Sequence, residues 1–477
     1  MLNKKTYPFV GRKHELSILK DLLRKRVASL IVLKGRRRIG KSRLAEEFSK
    51  SMRSVIFTGL PPDKNVTAQS QREDFAQQLS KALNIPPPRS DDWNTLFWNL
   101  AHETKKGRVF IVLDEITWLG SKDPTFLGKL KNAWDLHFKK NPGLILMLTG
   151  SMSGWIEKNI LSSTGFMGRI SLDIKLEELP LYRCNSFWGK ENKLISPYEK
   201  FKVLAVTGGI PRYLEEIIPE DSAEKNIQRL CFRREGFLFN EFDRIFSDLF
   251  QKRAPIYTKI VHRLANGATG AQPLYEAAQI SKGGVASSYL SDLQHSGFIS
   301  RDYTWNITRG TESKQSLYRL SDNYTRFYLK YILPNKRRIE GGRFNPDASR
   351  WSSIFGLQFE NLVLNNRNRI LELLKINPEH VVWDNPFLQT HTKKHRGCQV
   401  DYLIQTRDGT LYVCEIKFSQ HPIGREVIDE VRSKISVLNT PRNFSFRSIL
   451  IHVNGVSDAV LEEEFFSEIL SFSDILI

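Results

Sequence analysis

Gly35-Arg36-Arg37-Arg38-Ile39-Gly40-Lys41-Ser42 satisfies the spacing G-x-x-x-x-G-K-[ST] at every fixed position. That spacing suits phosphate, because backbone N–H groups of a glycine-rich turn and of the helix that follows point at one anion. Lys41 is expected to reach the β- and γ-phosphates of ATP and Ser42 to offer its hydroxyl to Mg²⁺. The rest of the cradle runs from Gly35 to Arg43. Arg36, Arg37 and Arg38 occupy variable positions, which contribute backbone N–H groups, so their side chains are expected to point away from the nucleotide.

Phosphate chemistry needs carboxylates as well. RVFIVLDE (108–115) is an apolar run that ends in two acids. Asp114 is placed to hold Mg²⁺ through water. Glu115, one residue on, is placed to polarise an attacking water as general base. Another apolar run ends in Thr149-Gly150-Ser151. A polar side chain there either senses the terminal phosphate or only begins a turn, as Gly and Ser favour. Arg169 has three readings: it reaches a γ-phosphate of its own chain, reaches one in a self-associated neighbour, or is an ordinary solvated arginine.

A second chemistry lies in GCQVDYLIQTRDGTLYVCEIKFSQ (397–420). Two β-prone runs flank Arg407-Asp408-Gly409. A three-residue hairpin loop with Gly409 in the left-handed position pairs Thr406 with Thr410. Asp401 then falls opposite Glu415, and Lys417 shares their face. A two-residue Asp408-Gly409 loop would put Asp401 on the other face. Two carboxylates and a lysine on one face suit a Mg²⁺-dependent phosphodiesterase: Asp401 and Glu415 as metal ligands, helped by the Ile416 carbonyl, and Lys417 activating water. The basic run HTKKHRG (391–397) either grips phosphates or is a solvated loop.

These groups need a scaffold. SLIVLKG (29–35), SVIFTGL (54–60), RVFIVLDE and LILMLTGS (144–151) read as buried parallel strands alternating with helices, which predicts a parallel-sheet α/β core over 1–180. The long gap from Lys41 to Asp114 leaves room for an extra strand, the order of ATPases that use a catalytic glutamate. Residues 181–252 read as a helical lid. Three short helical patterns and a strand pair, FISRDYT and QSLYRL, read as a winged helix over 253–332, with Ala286, Tyr289, Leu290 and Leu293 as the apolar face of the third helix. Its opposite face, Ser287, Ser288, Ser291, Gln294 and His295, is polar but hardly basic, which favours phosphate-level or internal use over base reading. LPNKRRIEGGRFNPDASR (333–350) reads as a basic linker, then a helix over 355–373 and a mixed sheet complete a fourth part, 333–477.

The net charge is +19, which favours a polyanionic partner, here DNA. The four cysteines form no CxxC pair, so neither a zinc ribbon nor a dithiol redox site is expected. Sparse cysteines, an N-terminal stretch without a signal-like apolar run and no apolar stretch of spanning length lead us to expect a cytoplasmic protein with no membrane partner.

FVGRKHEL (9–16), GRRRIGKS, VLDE, LTGS, GRI and TGGIPRYL (207–214) follow one another as in the archaeal-type ATPases, a branch of the AAA+-like and STAND-like enzymes, and the chain resembles that family over roughly residues 1–330. The resemblance implies that Val10 and Gly11 lie near the adenine and that the lid segment with Pro211 packs over the base. The Asp401, Glu415-Ile416-Lys417 pattern resembles the PD-(D/E)xK nucleases, a restriction-endonuclease-like fold, although no proline precedes Asp401. That resemblance implies an additional acidic ligand at Glu360. It leaves cleavage and a purely DNA-binding or regulatory role both open.

Overall fold

The computed structural model describes residues 8–61, 63–151, 153–393 and 396–477. The chain divides into two units: residues up to Glu177 with His295–Gly297, and Glu178–Gln294 with Phe298–Ile477. The sequence pattern suggests four parts; the last three group together in the second unit.

In the first unit α1 (Lys13–Leu22) precedes β1 (Ser29–Gly35), α2 (Lys41–Ser49), β2 (Arg53–Thr58), α3 (Ala68–Leu83), α4 (Trp93–Glu103) and β3 (Val109–Asp114). There follow α5 (Ile116–Leu119), α6 (Phe126–Leu136), β4 (Leu144–Gly150), α7 (Ser153–Ile156) and β5 (Ile170–Leu176). The strands form one parallel sheet, order β2-β3-β4-β1-β5. Every residue of β1 and β4 is buried, as expected of central strands covered on both faces. Leu30 and Val32 join one apolar core, while Ile31 and Leu33 join the other. The strand that intervenes between β1 and β3 in space is β4, whereas β2 lies at the sheet edge. The C-terminal end of β4 is therefore inserted between the phosphate loop and Asp114.

The second unit opens with α8 (Leu181–Cys184), α9 (Pro197–Thr207), α10 (Pro211–Leu214), α11 (Ala223–Cys231) and α12 (Glu241–Phe250). Ser196 caps α9 with Pro197 at its first position, and Ser222 caps α11. Next come α13 (Ala254–Leu264), α14 (Ala271–Ala278), α15 (Gly284–His295) and the antiparallel pair β6 (Ile299–Asn306) and β7 (Thr311–Leu320). Ala286, Tyr289, Leu290 and Leu293 are buried and Ser287 and Ser288 exposed, as the periodicity predicts.

Two expectations are corrected here. The stretch read as a linker is largely helical: beyond α16 (Asn323–Phe327), a 3-10 turn at Leu333–Asn335 leads into α17 (Lys336–Glu340), anchored by buried Ile339. The single helix expected over 355–373 is two, α18 (Ser352–Leu364) and α19 (Arg367–Leu373). Asn366 interrupts them, its Nδ2 donating to Leu362 O (2.8 Å) and its Oδ1 accepting from Leu181 N (2.9 Å).

The remaining chain builds β8 (Val381–Gln389), β9 (Cys398–Thr406), β10 (Thr410–Lys417), α20 (Glu426–Val437), β11 (Ser445–His452), α21 (Asp458–Glu462), β12 (Glu468–Ser471) and α22 (Phe472–Leu476). The sheet order is β12-β11-β10-β9-β8, antiparallel from β8 to β10 and parallel from β10 to β12. The β6–β7 wing packs on this sheet. Trp305 and Ile307 enter its apolar core, Trp305 Nε1 donates to Gln405 Oε1 (2.5 Å), and Trp383 Nε1 donates to Gly310 O (2.8 Å). On the other side Phe201 of α9 lies among Phe355, Phe359, Phe418 and Phe472. These shared cores make lid, wing and C-terminal sheet one unit.

Candidate nucleotide site and a second acidic site

The phosphate loop joins β1 to α2, the strand-to-helix context its spacing requires. A Cβ at Gly35 would lie 2.6 Å from Leu176 O, and Gly40 and Arg38 take positive φ (94° and 73°). The loop is thus tightly wound, with the left-handed steps from which anion-binding backbone nests are built. Lys41 is buried, with Nζ donating to Gly35 O (3.0 Å), Arg36 O (3.3 Å) and Ser151 Oγ (2.8 Å). Burial outweighs the attraction of Glu115 and Asp114 and holds this ammonium below its ordinary pKa. Ser42 Oγ donates to Asp114 Oδ2 (2.9 Å), so the hydroxyl and carboxylate expected to share Mg²⁺ are already adjacent.

Because β4 lies between β1 and β3, its end touches both halves of the site. Thr149 Oγ1 donates to Asp114 Oδ1. Ser151 grips Glu115 with both its N–H (3.2 Å to Oε2) and its hydroxyl (2.7 Å to Oε1). A continuous chain, Lys41 to Ser151 to Glu115, therefore connects the buried Lys41 ammonium to the candidate base. Glu115 has a left-handed backbone (φ 50°), which turns it out of the strand direction at the start of α5. Ser151 is the residue that motif reading left in the background, although LTGS contains it.

Arg36 is buried, Arg37 lies 5.8 Å over the Trp118 ring, and Arg43 is exposed on α2. Arg12, beside Val10 and Gly11, was not singled out from sequence. Its buried guanidinium donates to Ile39 O (3.2 Å) inside the phosphate loop, to Glu177 O (2.5 Å) and to Glu15 (3.0 Å). A left-handed Arg12 after a left-handed Gly11 makes that reach possible. Arg169 is engaged elsewhere: it forms a forked pair with Asp135 of α6 (3.0 and 2.9 Å), which holds that carboxyl well below its usual range. In the second unit, Gly208 and Gly209 of TGGIP are required by packing, since Cβ atoms there would lie 2.9 Å from Glu178 Oε2 and 2.2 Å from Leu179 O. Pro211 occupies the first position of α10.

The C-terminal hairpin has the three-residue loop, with Gly409 at φ 78°. Its register, Leu411 with Gln405 through Cys414 with Tyr402, brings Asp401 opposite Glu415 at the next step. Ile416 N donates to Asp401 Oδ2 (3.0 Å). Both carboxyls are raised above their ordinary pKa by burial first. Glu415 is raised further by Asp401, and Asp401 by the charge of Glu360 on α18. Glu360 is itself raised by burial, which outweighs Arg319 and Arg326.

A second lysine joins the expected one. Lys417 Nζ pairs with Glu430 (2.5 Å), a half-exposed contact, while its charge still acts on both Asp401 and Glu415. Lys434 of α20, which the motif does not include, donates to Glu415 Oε2 and lies 4.0 Å from Asp401 Oδ1. Burial lowers the Lys434 pKa, but the two carboxylates outweigh it and the net shift is upward. The available signal was a lysine on the apolar side of α20, in step with buried Val427 and Val431. Among the described residues, no three acidic, His or Cys side chains are gathered closely enough to hold a metal, so Glu360 does not complete a preformed cluster. A cavity of about 390 Å³ reaches Glu360 and is lined by Arg301, Asp302, Lys314, Arg319 and Gln399 among others, with Arg319 paired to Asp302 (3.0 Å). In the run 391–397, His391 to Lys393 are exposed, while Lys394 and His395 lie outside the described residues.

Residues 9–217 match a family described as an ATPase domain predominantly from Archaea. An uncharacterized protein of Methanocaldococcus jannaschii is 27% identical over 419 residues, 86% of this chain and 87% of that relative. A Walker-type ATPase of Pyrococcus abyssi is similar in fold, with a TM-score of 0.51 at 18% identity over 68% of this chain and 96% of that one. No helix among the described residues is long and apolar enough to cross a membrane.

Proposed function

We propose, from the match of residues 9–217 to an archaeal-type P-loop ATPase family, an ATP-hydrolysing protein that acts on DNA through a metal-dependent phosphodiesterase site in its C-terminal sheet. In the first unit Lys41 and the loop N–H groups bind the phosphates, and Ser42 and Asp114 are the residues to hold Mg²⁺. When bound, that ion neutralises charge between the β- and γ-phosphates. Glu115 takes the proton of the attacking water. Ser151 bonds both oxygens of Glu115, each of which keeps a lone pair free to accept from water, and Lys41 donates to the same hydroxyl.

The observation that carries the second activity is the convergence of Asp401 and Glu415 on one buried face with an ammonium already between them. Such a pair attracts a cation, so the residues fit a divalent ion, held by Asp401 and Glu415. Lys434 is the lysine that orients or activates water there. The net charge of +19 suits the phosphates of a DNA strand.

One observation favours a rival, a regulatory ATP switch with an inert C-terminal domain: no three-ligand cluster exists among the described residues. Duplex and single-stranded DNA incubated with Mg²⁺ or Mn²⁺ separate the two. Cleavage by wild type that disappears in Asp401→Ala supports the phosphodiesterase. Cleavage that persists in Asp401→Ala, or its complete absence in wild type, overturns it.

A further inference from the structure

A cavity of about 440 Å³ opens within the helical part of the second unit, and none of its lining residues is assigned above. Arginines dominate its lining: Arg229 from α11, Arg233 and Arg234 from the turn that follows, and Arg244 from α12. The turn is built to bring them together. A Cβ at Gly236 would lie 2.4 Å from Leu230 O, so only glycine lets the chain fold back against α11. Leu238 N then donates to Leu230 O (3.0 Å), and Gly236 N to Arg233 O (2.9 Å).

Arg229 forms a fixed floor. Its Nη2 donates to Glu216 O and to Asn226 Oδ1 (3.0 Å), which sets the plane of the guanidinium. Arg233, Arg234 and Arg244 are exposed at the rim. Two acids share the lining. Glu216 is already bonded to Arg212 (2.6 Å), which leaves Glu235 to face four guanidiniums. Like charges gathered in one concavity repel unless an anion lies among them. Guanidinium forks match phosphate oxygens two at a time.

We propose that this arginine cavity binds contiguous phosphate groups. They are carried either by a nucleic-acid backbone or by a free polyphosphate, at a site distinct from the phosphate loop and independent of the phosphodiesterase reading. The test compares the full-length wild type with Arg233→Gln/Arg234→Gln/Arg244→Gln, which leaves Arg229 and the packing intact. Labelled duplex DNA is titrated by anisotropy over a salt series, and inorganic tripolyphosphate by calorimetry. The phosphate loop contributes equally to both proteins. For a nucleic-acid ligand, the variant binds duplex about tenfold more weakly at low salt, with a log–log salt slope smaller by roughly 2–3. For a free polyphosphate, duplex binding is unchanged and one tripolyphosphate site is lost. Unchanged binding in both titrations overturns the proposal. So does an equal loss in a charge-matched control, Lys105→Gln/Lys106→Gln/Lys140→Gln, whose lysines are exposed on the first unit. If the triple variant does not fold, Arg244→Gln alone is read the same way, with about a threefold loss expected for one phosphate contact.

Discussion

Replacing Lys434 with Met removes the cation between Asp401 and Glu415 while keeping the bulk of the side chain. Lys434 donates to Glu415, whose side chain is 5% exposed, and lies 4.0 Å from Asp401 Oδ1. Breaking a buried pair by removing one partner costs roughly 3–5 kcal/mol. Here Lys434 is 24% exposed, and both acids are already pushed toward the neutral form and can take up a proton. The expected loss in metal-free protein is therefore nearer ~2 kcal/mol. Carboxyls with raised folded pKa values favour folding below their unfolded pKa and lose that contribution as pH rises, so the deficit is smaller at pH 5 than at pH 8. Mn²⁺ at a hundredfold excess over its Kd restores about 2.7 kcal/mol. It should stabilise Lys434→Met more than wild type, because the competing ammonium is gone. Lys417→Met breaks only a half-exposed pair with Glu430, worth roughly 0–1 kcal/mol. Urea unfolding of the three proteins in EDTA and in MnCl₂ reads these differences without relying on cleavage. The reasoning fails if Lys417→Met is the more destabilised variant, or if Mn²⁺ stabilises Lys434→Met no more than wild type. In the cleavage assay, Lys434→Met should lower the rate by about 10²–10⁴, the usual worth of a positioned acid or base.

Three further outcomes are expected. Glu115→Gln should retain ATP binding and lower turnover by about 10²–10⁴, measured by phosphate release; turnover equal to wild type would remove Glu115 as the base. Arg12→Ala takes a buried charged donor from Ile39 O and Glu177 O, so it should cost roughly 2 kcal/mol of stability and weaken nucleotide binding, read by thermal unfolding with and without ATP. His452 is buried, accepts from Gly455 N (2.9 Å) and has its pKa lowered below 6.5 by burial. A depressed histidine favours folding above its unfolded pKa and loses that contribution as pH falls. Wild type should therefore lose up to about 1.4 kcal/mol per pH unit just below pH 6.5, and His452→Asn should not.

Much of this protein is legible in the chain because its signals are local. Gly35, Gly40, Lys41 and Ser42 lie within one turn whose backbone does the binding, so spacing alone identifies them. Asp401 and Glu415 are related by a hairpin, and once Gly409 fixes a three-residue loop their register follows from counting. The apolar face of α15 follows from helical periodicity in the same way. What spacing does not carry is contact between distant segments. The insertion of β4 between β1 and β3 is a choice of sheet order, and it alone brings Ser151 between Lys41 and Glu115. Arg12 supports the phosphate loop only because the chain returns past it at Glu177. Lys417 shares a strand face with Glu415 and pairs with Glu430, while α20 lays a second lysine, Lys434, across the acids. The chain determined which chemistries are present; tertiary packing decided which side chains serve them, because a charge pairs with whatever the fold brings within a few ångströms.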